Sequence, residues 1–468
     1  MKFLRLVSIA TAVVALQIPL RLKTSPANKA VFADDPLATE SSKVHYSKVD
    51  PSLWPVDLNQ YQGVVIRGDL SSVPSSALRE ALQEIENSIW SKNNIENTAD
   101  IQISYENLVK LLEKVPQFKY SVMIDDLAQK VYESYPHHEA EAASEDEVIA
   151  NSEIFFKEYR SLDTIYSWLD MLQQTYPEVL AVEDIGETYE GRPIRVVHFS
   201  VNKEGIDHSQ KKSIVVTGGT HAREWISVSS TLFLLYKLLN HYEYDPTGDV
   251  VTKLNILFVV VENPDGYEYT WNHDRLWRKN RQKTKKEGCF GIDIDHSYDY
   301  HWTKSTDWEC GEEYSGEYPF EAYESKIWNK YLNATNEQHK IYGYIDLHSY
   351  SQEVLYPYAY SCNEQPRDEE NLVELAYGIA KAVRIESGQA YNVLPACIDK
   401  DSDMLPDMGS GSALDYMYHS NAYWAYQLKL RDTGSHGFLL PSQYIVPVGM
   451  EIYAGLKYFV RFVVDDDR

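Results

Sequence analysis

The spacing of apolar residues changes character part-way along the chain. In the front portion, strand-like alternation and helical spacing take turns. Val64, Val65 and Ile66 mark a strand over 63–68, and Leu78, Leu82, Ile85 and Ile89 recur at helical spacing behind a Ser/Pro start. Ile101 and Ile103 alternate in a second strand, Leu108, Leu111, Leu112 and Val115 mark a second helix, and a strand over 120–124 leads into a short helix from Asp126. Residues 137–147 are acidic and have no apolar period, the composition of an exposed linker.

Past residue 154 the pattern becomes one of helices alternating with strongly apolar strands. Ser161 is placed to cap a helix carrying Leu162, Ile165, Leu169 and Leu172 on one face. Strands are predicted over 194–200, 213–217, 255–261, 341–347 and 422–430, with a long apolar helix over 227–242. Near-continuous Val/Ile/Leu strands separated by helices predict an α/β unit, a mostly parallel sheet covered on both faces. Ligands of such sheets sit at the carboxyl ends of the strands.

Length and composition narrow this picture. With 468 residues the chain exceeds one ordinary core, and 44% hydrophobic residues exclude wholesale disorder. A net charge of -26 argues against nucleic acid as a partner, because phosphate binding needs concentrated basic surface. Four cysteines are too few for a disulfide scaffold but leave room for two bridges. Lys2 and Arg5 precede an uninterrupted apolar run over 6–20, shorter than the about 20 residues of a comfortable span. Residues 1–33 therefore read as a secretory signal, with a short signal anchor as the alternative, and no other segment could cross a bilayer. Val31-Phe32-Ala33 has small residues suited to cleavage but lies far from the apolar run, which leaves the cleavage point open. Asn333-Ala334-Thr335 is a glycosylation sequon usable in the secretory lumen. The expected partition is a signal over 1–33, an α+β unit over 34–136, an acidic linker over 137–153 and a large α/β domain over 154–468.

Two strand ends carry metal chemistry. The first runs Thr217-Gly218-Gly219-Thr220-His221-Ala222-Arg223-Glu224, where two glycines permit a tight turn and the three-residue spacing lets His221 and Glu224 converge on one ion. The second, Asp346-Leu347-His348, supplies a third donor, and two histidines with one glutamate make up the donor set of a catalytic zinc site. His138 and Glu141 repeat the spacing inside the acidic run, where no strand fixes them, and read as solvated surface.

These residues, together with Asn263-Pro264-Asp265-Gly266, Arg275-Leu276-Trp277-Arg278-Lys279 and Leu430-Arg431-Asp432-Thr433-Gly434 in that order, resemble the pancreatic-type zinc metallocarboxypeptidases. The resemblance covers residue 154 to the C-terminus. It implies a carboxypeptidase-like α/β fold, a mixed central eight-stranded sheet with helices on both faces, preceded by a small α+β propeptide-like domain over the cleft. It further implies one Zn2+ ion on His221, Glu224 and His348, with Asp293 orienting an imidazole, and a disulfide between Cys289 and Cys310. Cys362 and Cys397 remain for a second bridge.

The same resemblance exposes departures. The family's general base falls on Lys429, an ammonium that accepts no proton. Neutral Lys429 acting as base and a lysine pointing away from the site are the alternatives; period-two alternation, which puts Tyr423, Ala425, Gln427 and Lys429 on one face, disfavours the second. The family's Asn-Arg clamp for a C-terminal carboxylate falls on Asp295 and His296, which lack both the charge and the fork for that task. Its mobile tyrosine falls on Asp407, while Arg278, Tyr350 and Phe438 are retained along the cleft and Leu414 makes the specificity pocket apolar. Loss of base and anchor together resembles a fungal branch of inactive metallocarboxypeptidases. That likeness implies a secreted or vacuolar, zinc-binding pseudoenzyme with a role in cell-wall organisation. Its partner would be a peptide C-terminus or a cell-wall component, with no nucleic acid, no membrane span after signal removal, and a monomeric state. The alternatives are an active carboxypeptidase of altered specificity or mechanism, and a structural zinc beneath a partner platform.

Overall fold

The computed structural model describes residues 45–48, 54–136, 145–201, 211–245, 253–338, 340–399 and 409–465. The signal-like segment 1–33, the acidic run 137–144 with His138 and Glu141, and Asp407 lie outside the described residues. The chain forms two compact units, one of residues up to Tyr132 with Gly434–His436, the other from Glu133 to Thr433 and from Gly437 onward.

The front unit is a four-stranded antiparallel sheet, β1 (Val64–Asp69), β2 (Asn87–Asn93), β3 (Thr98–Ile103) and β4 (Lys119–Ile124), in the order β2-β3-β1-β4. Two helices, α1 (Ser75–Gln83) and α2 (Tyr105–Lys114), contribute buried Leu78, Leu82, Leu108 and Leu111, and α2 is capped by Ser104, whose side chain accepts from Asn107 N. Ile89 departs from expectation: it sits in β2 opposite Ile101 rather than in the first helix. A spacing of four satisfies a strand as well as a helix. Asn87 decides between them here by donating Nδ2 to the carbonyls of Leu82 (2.8 Å) and Ile85 (2.9 Å), closing the helix end.

The large unit begins earlier than the sequence suggests. Tyr135 donates its hydroxyl to Thr270 O at 2.7 Å and meets Trp225 edge-on at 5.2 Å. The end of the acidic stretch is helical, Glu145–Ala150 and Ser152–Phe155, with Phe155 stacked on Trp168 at 4.5 Å. Helices of six and four residues are too short to display a period, which is why the sequence shows only an acidic linker there.

The central sheet has eight strands: β5 (Leu180–Glu187), β6 (Pro193–Ser200), β7 (Lys212–Gly218), β8 (Leu254–Val259), β9 (Ile341–Ser349), β10 (Glu353–Tyr356), β11 (Asn392–Pro395) and β12 (Trp424–Leu430). Their order is β11-β10-β12-β9-β7-β8-β6-β5. The run β12, β9, β7, β8 is parallel, whereas β10–β12, β6–β8 and β5–β6 are antiparallel, so the sheet is mixed. The longer helices of this unit are α3 (Leu162–Thr175), α4 (Trp225–Tyr244), α5 (Pro264–Asn272), α6 (Tyr323–Gln338), α7 (Glu369–Ser387), α8 (Ala413–Ser420) and α9 (Ile445–Asp465). Ser161 caps α3 as expected, accepting from Thr164 N. No helix among the described residues is long and apolar enough to cross a membrane. Both expected disulfides, Cys289–Cys310 and Cys362–Cys397, are formed.

One buried acid in this unit has a measurable consequence. Glu324 on α6 is fully buried; its Oε2 accepts from Asn280 Nδ2 at 2.6 Å, but Oε1 has no partner among the described residues. Burial pushes its pKa up to about 8. The native chain therefore holds a proton that the unfolded chain releases above its ordinary value near 4.5, and stability falls as pH rises from there towards 8. Glu324→Gln is expected to flatten the pH dependence of the melting temperature between about pH 5 and 8, and to melt higher than the parent at pH 8. Parallel melting curves for the two proteins across that range would refute this account of Glu324.

Candidate metal centre

His221 and Glu224 stand in the turn between β7 and α4, and glycine makes that turn possible. Gly219 has φ of 69°, and a Cβ there would lie 2.8 Å from Val228 Cγ2 and 3.2 Å from Val261 Cα. Ser227 clamps the turn, accepting from Gly219 N at 3.0 Å and donating to Glu224 O at 2.8 Å. His348 arrives separately, near the carboxyl end of β9. The three side chains meet as the sequence anticipates. His221 Nδ1 lies 2.9 Å from Glu224 Oε1, and His348 Nδ1 lies 3.0 Å from Glu224 Oε2 and 3.1 Å from His221 Nδ1.

That arrangement tests whether a metal fits. All three residues are buried, and two imidazole nitrogens aim at one another across a carboxylate. Ligands with bonds of about 2.0–2.1 Å in a tetrahedral array stand roughly 3.3 Å apart, close to the separations seen. Burial pushes the Glu224 carboxyl up, but His221 and His348 outweigh it and hold the group well below the usual range, as an ionised ligand must be. The donor set fits zinc.

Behind the ligands, Asp293 Oδ1 lies 3.2 Å from His221 Nε2, while Asp293 Oδ2 accepts from Arg278 Nη2 at 2.8 Å. Burial opposes ionisation of Asp293, but Arg278 and then His221 keep it well below the ordinary value. Asp293 thus faces the imidazole that the family resemblance pairs it with.

The altered cleft residues are satisfied by the protein itself. Asp295 and His296, both buried in the 3-10 turn Ile294–His296, face inward. Asp295 accepts from Ala413 N at 3.3 Å and Gln427 Nε2 at 3.2 Å, and His296 Nδ1 lies 3.3 Å from Ser410 O. Lys429 on β12 is in register with His348 on one side and Glu353 on the other, and its Nζ lies 3.5 Å from Glu353 Oε2. The lysine therefore belongs to the row of side chains at the metal centre. Tyr350 meets Phe438 edge-on at 5.1 Å, the Arg223 guanidinium lies 4.1 Å from the centroid of the Phe438 ring, and Leu414 is buried on α8. Asn333 is exposed on α6.

Two motif residues outside the ligands, Asn263 and Arg275, serve as scaffolding. Asn263 caps α5, accepting from Gly266 N at 2.9 Å, and donates Nδ2 to Thr220 O at 3.1 Å next to His221. Arg275 lies over Trp225 and donates to Arg223 O at 2.8 Å and Phe438 O at 3.0 Å, tying the ligand turn to the cleft wall. Two residues of the site were missed from sequence. Asp346 is two positions from His348, so strand alternation places both on one face. Glu353 could be found only from the strand register.

Comparison with known proteins agrees with this geometry. The zinc carboxypeptidase family matches residues 165–455. The chain belongs to the zinc carboxypeptidase family. A relative in Saccharomyces cerevisiae, inactive metallocarboxypeptidase ECM14, is 51% identical over 381 residues, covering 81% of this chain and 86% of the relative. Its namesake in Sclerotinia sclerotiorum is 39% identical, covering 87% and 74%. Among solved structures, thrombin activatable fibrinolysis inhibitor superposes with a TM-score of 0.75 at 26% identity, covering 86% of this chain and 99% of that one. Within the zinc carboxypeptidases this chain therefore stands with members named inactive, as the replacement of base and anchor leads one to expect.

Removing one donor from a buried three-ligand set leaves the others unable to hold a dication. His348→Ala is expected to lose the bound zinc in metal analysis of purified protein. Undiminished zinc in that variant would refute the ligand assignment.

Proposed function

We propose that the chain is a zinc-holding pseudoenzyme that reaches the cell exterior or vacuole through the secretory pathway and acts there by recognition, in cell-wall organisation. The observation that carries this reading is Lys429. It stands at the family's base position, in register with the ligand His348, and its ammonium is paired across strands with Glu353. A zinc ion in this family acts as a Lewis acid and activates a bound water. This chain presents no carboxylate at that position to take the proton. Its counterpart of the anchor, Asp295, is a buried carboxylate already accepting two hydrogen bonds, and it repels the free carboxylate of a peptide end.

His221, Glu224 and His348 hold one zinc ion, Asp293 and Arg278 keep the first imidazole in place, and the residual cleft, where Asp295 disfavours the free carboxylate of a peptide C-terminus, receives a cell-wall component. The run of basic and apolar residues at the start of the sequence, two disulfides and an exposed sequon support the compartment. The protein acts as a monomer, and carries a glycan on Asn333.

The purified full chain, incubated with a library of peptides, is expected to release no C-terminal residue, with or without chelator. Chelator-sensitive release would overturn the pseudoenzyme reading. Reversion is expected to need several changes. Lys429→Glu alone sets a second carboxylate beside Glu353, and it is expected to remain inactive. Combined with Glu353→Leu, Asp295→Asn and His296→Arg, the change is expected to give chelator-sensitive hydrolysis. Activity from the single substitution would show that Glu353 does not constrain the position.

A further inference from the structure

His348 has a second buried carboxylate behind it. Its Nδ1 faces His221 and Glu224, and its other ring nitrogen, Nε2, lies 3.2 Å from Asp346 Oδ2. Neither Nε2 nor Oδ2 has a hydrogen-bond partner among the described residues, and the two residues are 3% and 0% exposed. Buried polar atoms left this way are costly, and here two complementary ones face each other. Asp346 is also held from its far side. Its Oδ1 accepts from Thr217 Oγ1 at 2.6 Å, across the register of β7 and β9. The carboxylate thus has one oxygen fixed to the neighbouring strand and the other presented to the imidazole.

The arrangement parallels, on different elements, that of Asp293 and His221, where one oxygen is pinned by Arg278 and the other is hydrogen-bonded at 3.2 Å to the ring nitrogen that does not face the metal; the Asp346 contact has the same length without yet being aligned as a hydrogen bond. We propose that Asp346 is a positioning residue for the metal centre: its Oδ2 accepts the Nε2–H of His348, fixes the ring with Nδ1 towards the ion, and sets a carboxylate behind the ligand. Both imidazoles would then be carboxylate-backed, and the centre is built to retain its ion. This rests on the zinc-holding reading above.

The test is zinc affinity, measured on the full chain by competition with a chromophoric chelator. Partners behind metal-bound histidines typically contribute about 10–100-fold in affinity. Asp346→Asn, which keeps the size and one acceptor but loses the charge, is expected to weaken zinc about 10-fold, and Asp346→Ser up to about 100-fold. Thr217→Val, which frees Oδ1 without touching the ring, is expected to give a smaller loss in the same direction. The melting temperature of the chelator-stripped Asp346→Asn protein should match that of the stripped parent, which separates a role at the metal from a role in packing. Affinity unchanged within about 2-fold in both Asp346 variants would overturn the proposal, as would a parent chain with two zinc ions per chain that falls to one in the variants. In that second case Asp346 would be a ligand of its own ion. A parent chain that takes up no zinc would overturn the zinc-holding reading itself, whereas unaltered affinity in the variants overturns only the role of Asp346.

Discussion

The register of β7, β9 and β12 is the constraint on which the centre depends. Hydrogen bonding aligns Thr217, Asp346 and Gln427 in one row across the sheet, and His348 with Lys429 in the row nearer the carboxyl ends. Side chains on a strand alternate with period two, so the rows share a face. A slip of one residue in β9 would turn His348 into the opposite layer and leave Glu224 and His221 without a third donor, and a slip in β12 would turn Lys429 away from it. Burial of both faces prevents the slip, because Val215, Ile345 and Leu428 would then be moved out of their own layers.

Given that rigid grid, replacing single residues changes the chemistry without disturbing the frame. Lys429 lies on the sheet beside His348, and Glu353 enters from the antiparallel neighbour to balance it. Asp295 is accommodated because Ala413 N and Gln427 Nε2 are already aimed at it. Each new charge has a local partner supplied by an adjacent element, which is the condition for keeping a charge in a buried site. The buried charges around the cleft are thus matched by their neighbours while the three metal donors stay together.

Much of this was legible in the sequence, for identifiable reasons. His221, Glu224 and His348 sit where apolar strands end, and strand ends are easy to locate when both faces of a sheet are buried. The ladder of β6, β7, β8, β9 and β12 was visible for the same cause. The strands β5, β10 and β11 were not: β5 is largely exposed on the edge, and the other two have four residues each, too few to show a period. Ile89 misled because a four-residue step fits both periodicities. Asp346 is readable from alternation alone, two residues before His348 on the same face of β9. Glu353 was beyond reach, since nothing in a linear sequence states which residue of β10 faces Lys429.

The turn at Gly219, the cap at Asn263 and the stack of Arg275 over Trp225 bear on how such chains are recognised. Each is tied to main-chain carbonyls, amides or rings, and none depends on a reaction taking place. Selection for a folded chain is therefore enough to preserve them. The signature by which this family is detected is in large part a record of how the loops are held, and a lineage can abandon hydrolysis while keeping that signature almost whole. Telling a working member from a silent one then turns on very few letters, those whose side chains meet the ligand rather than the scaffold.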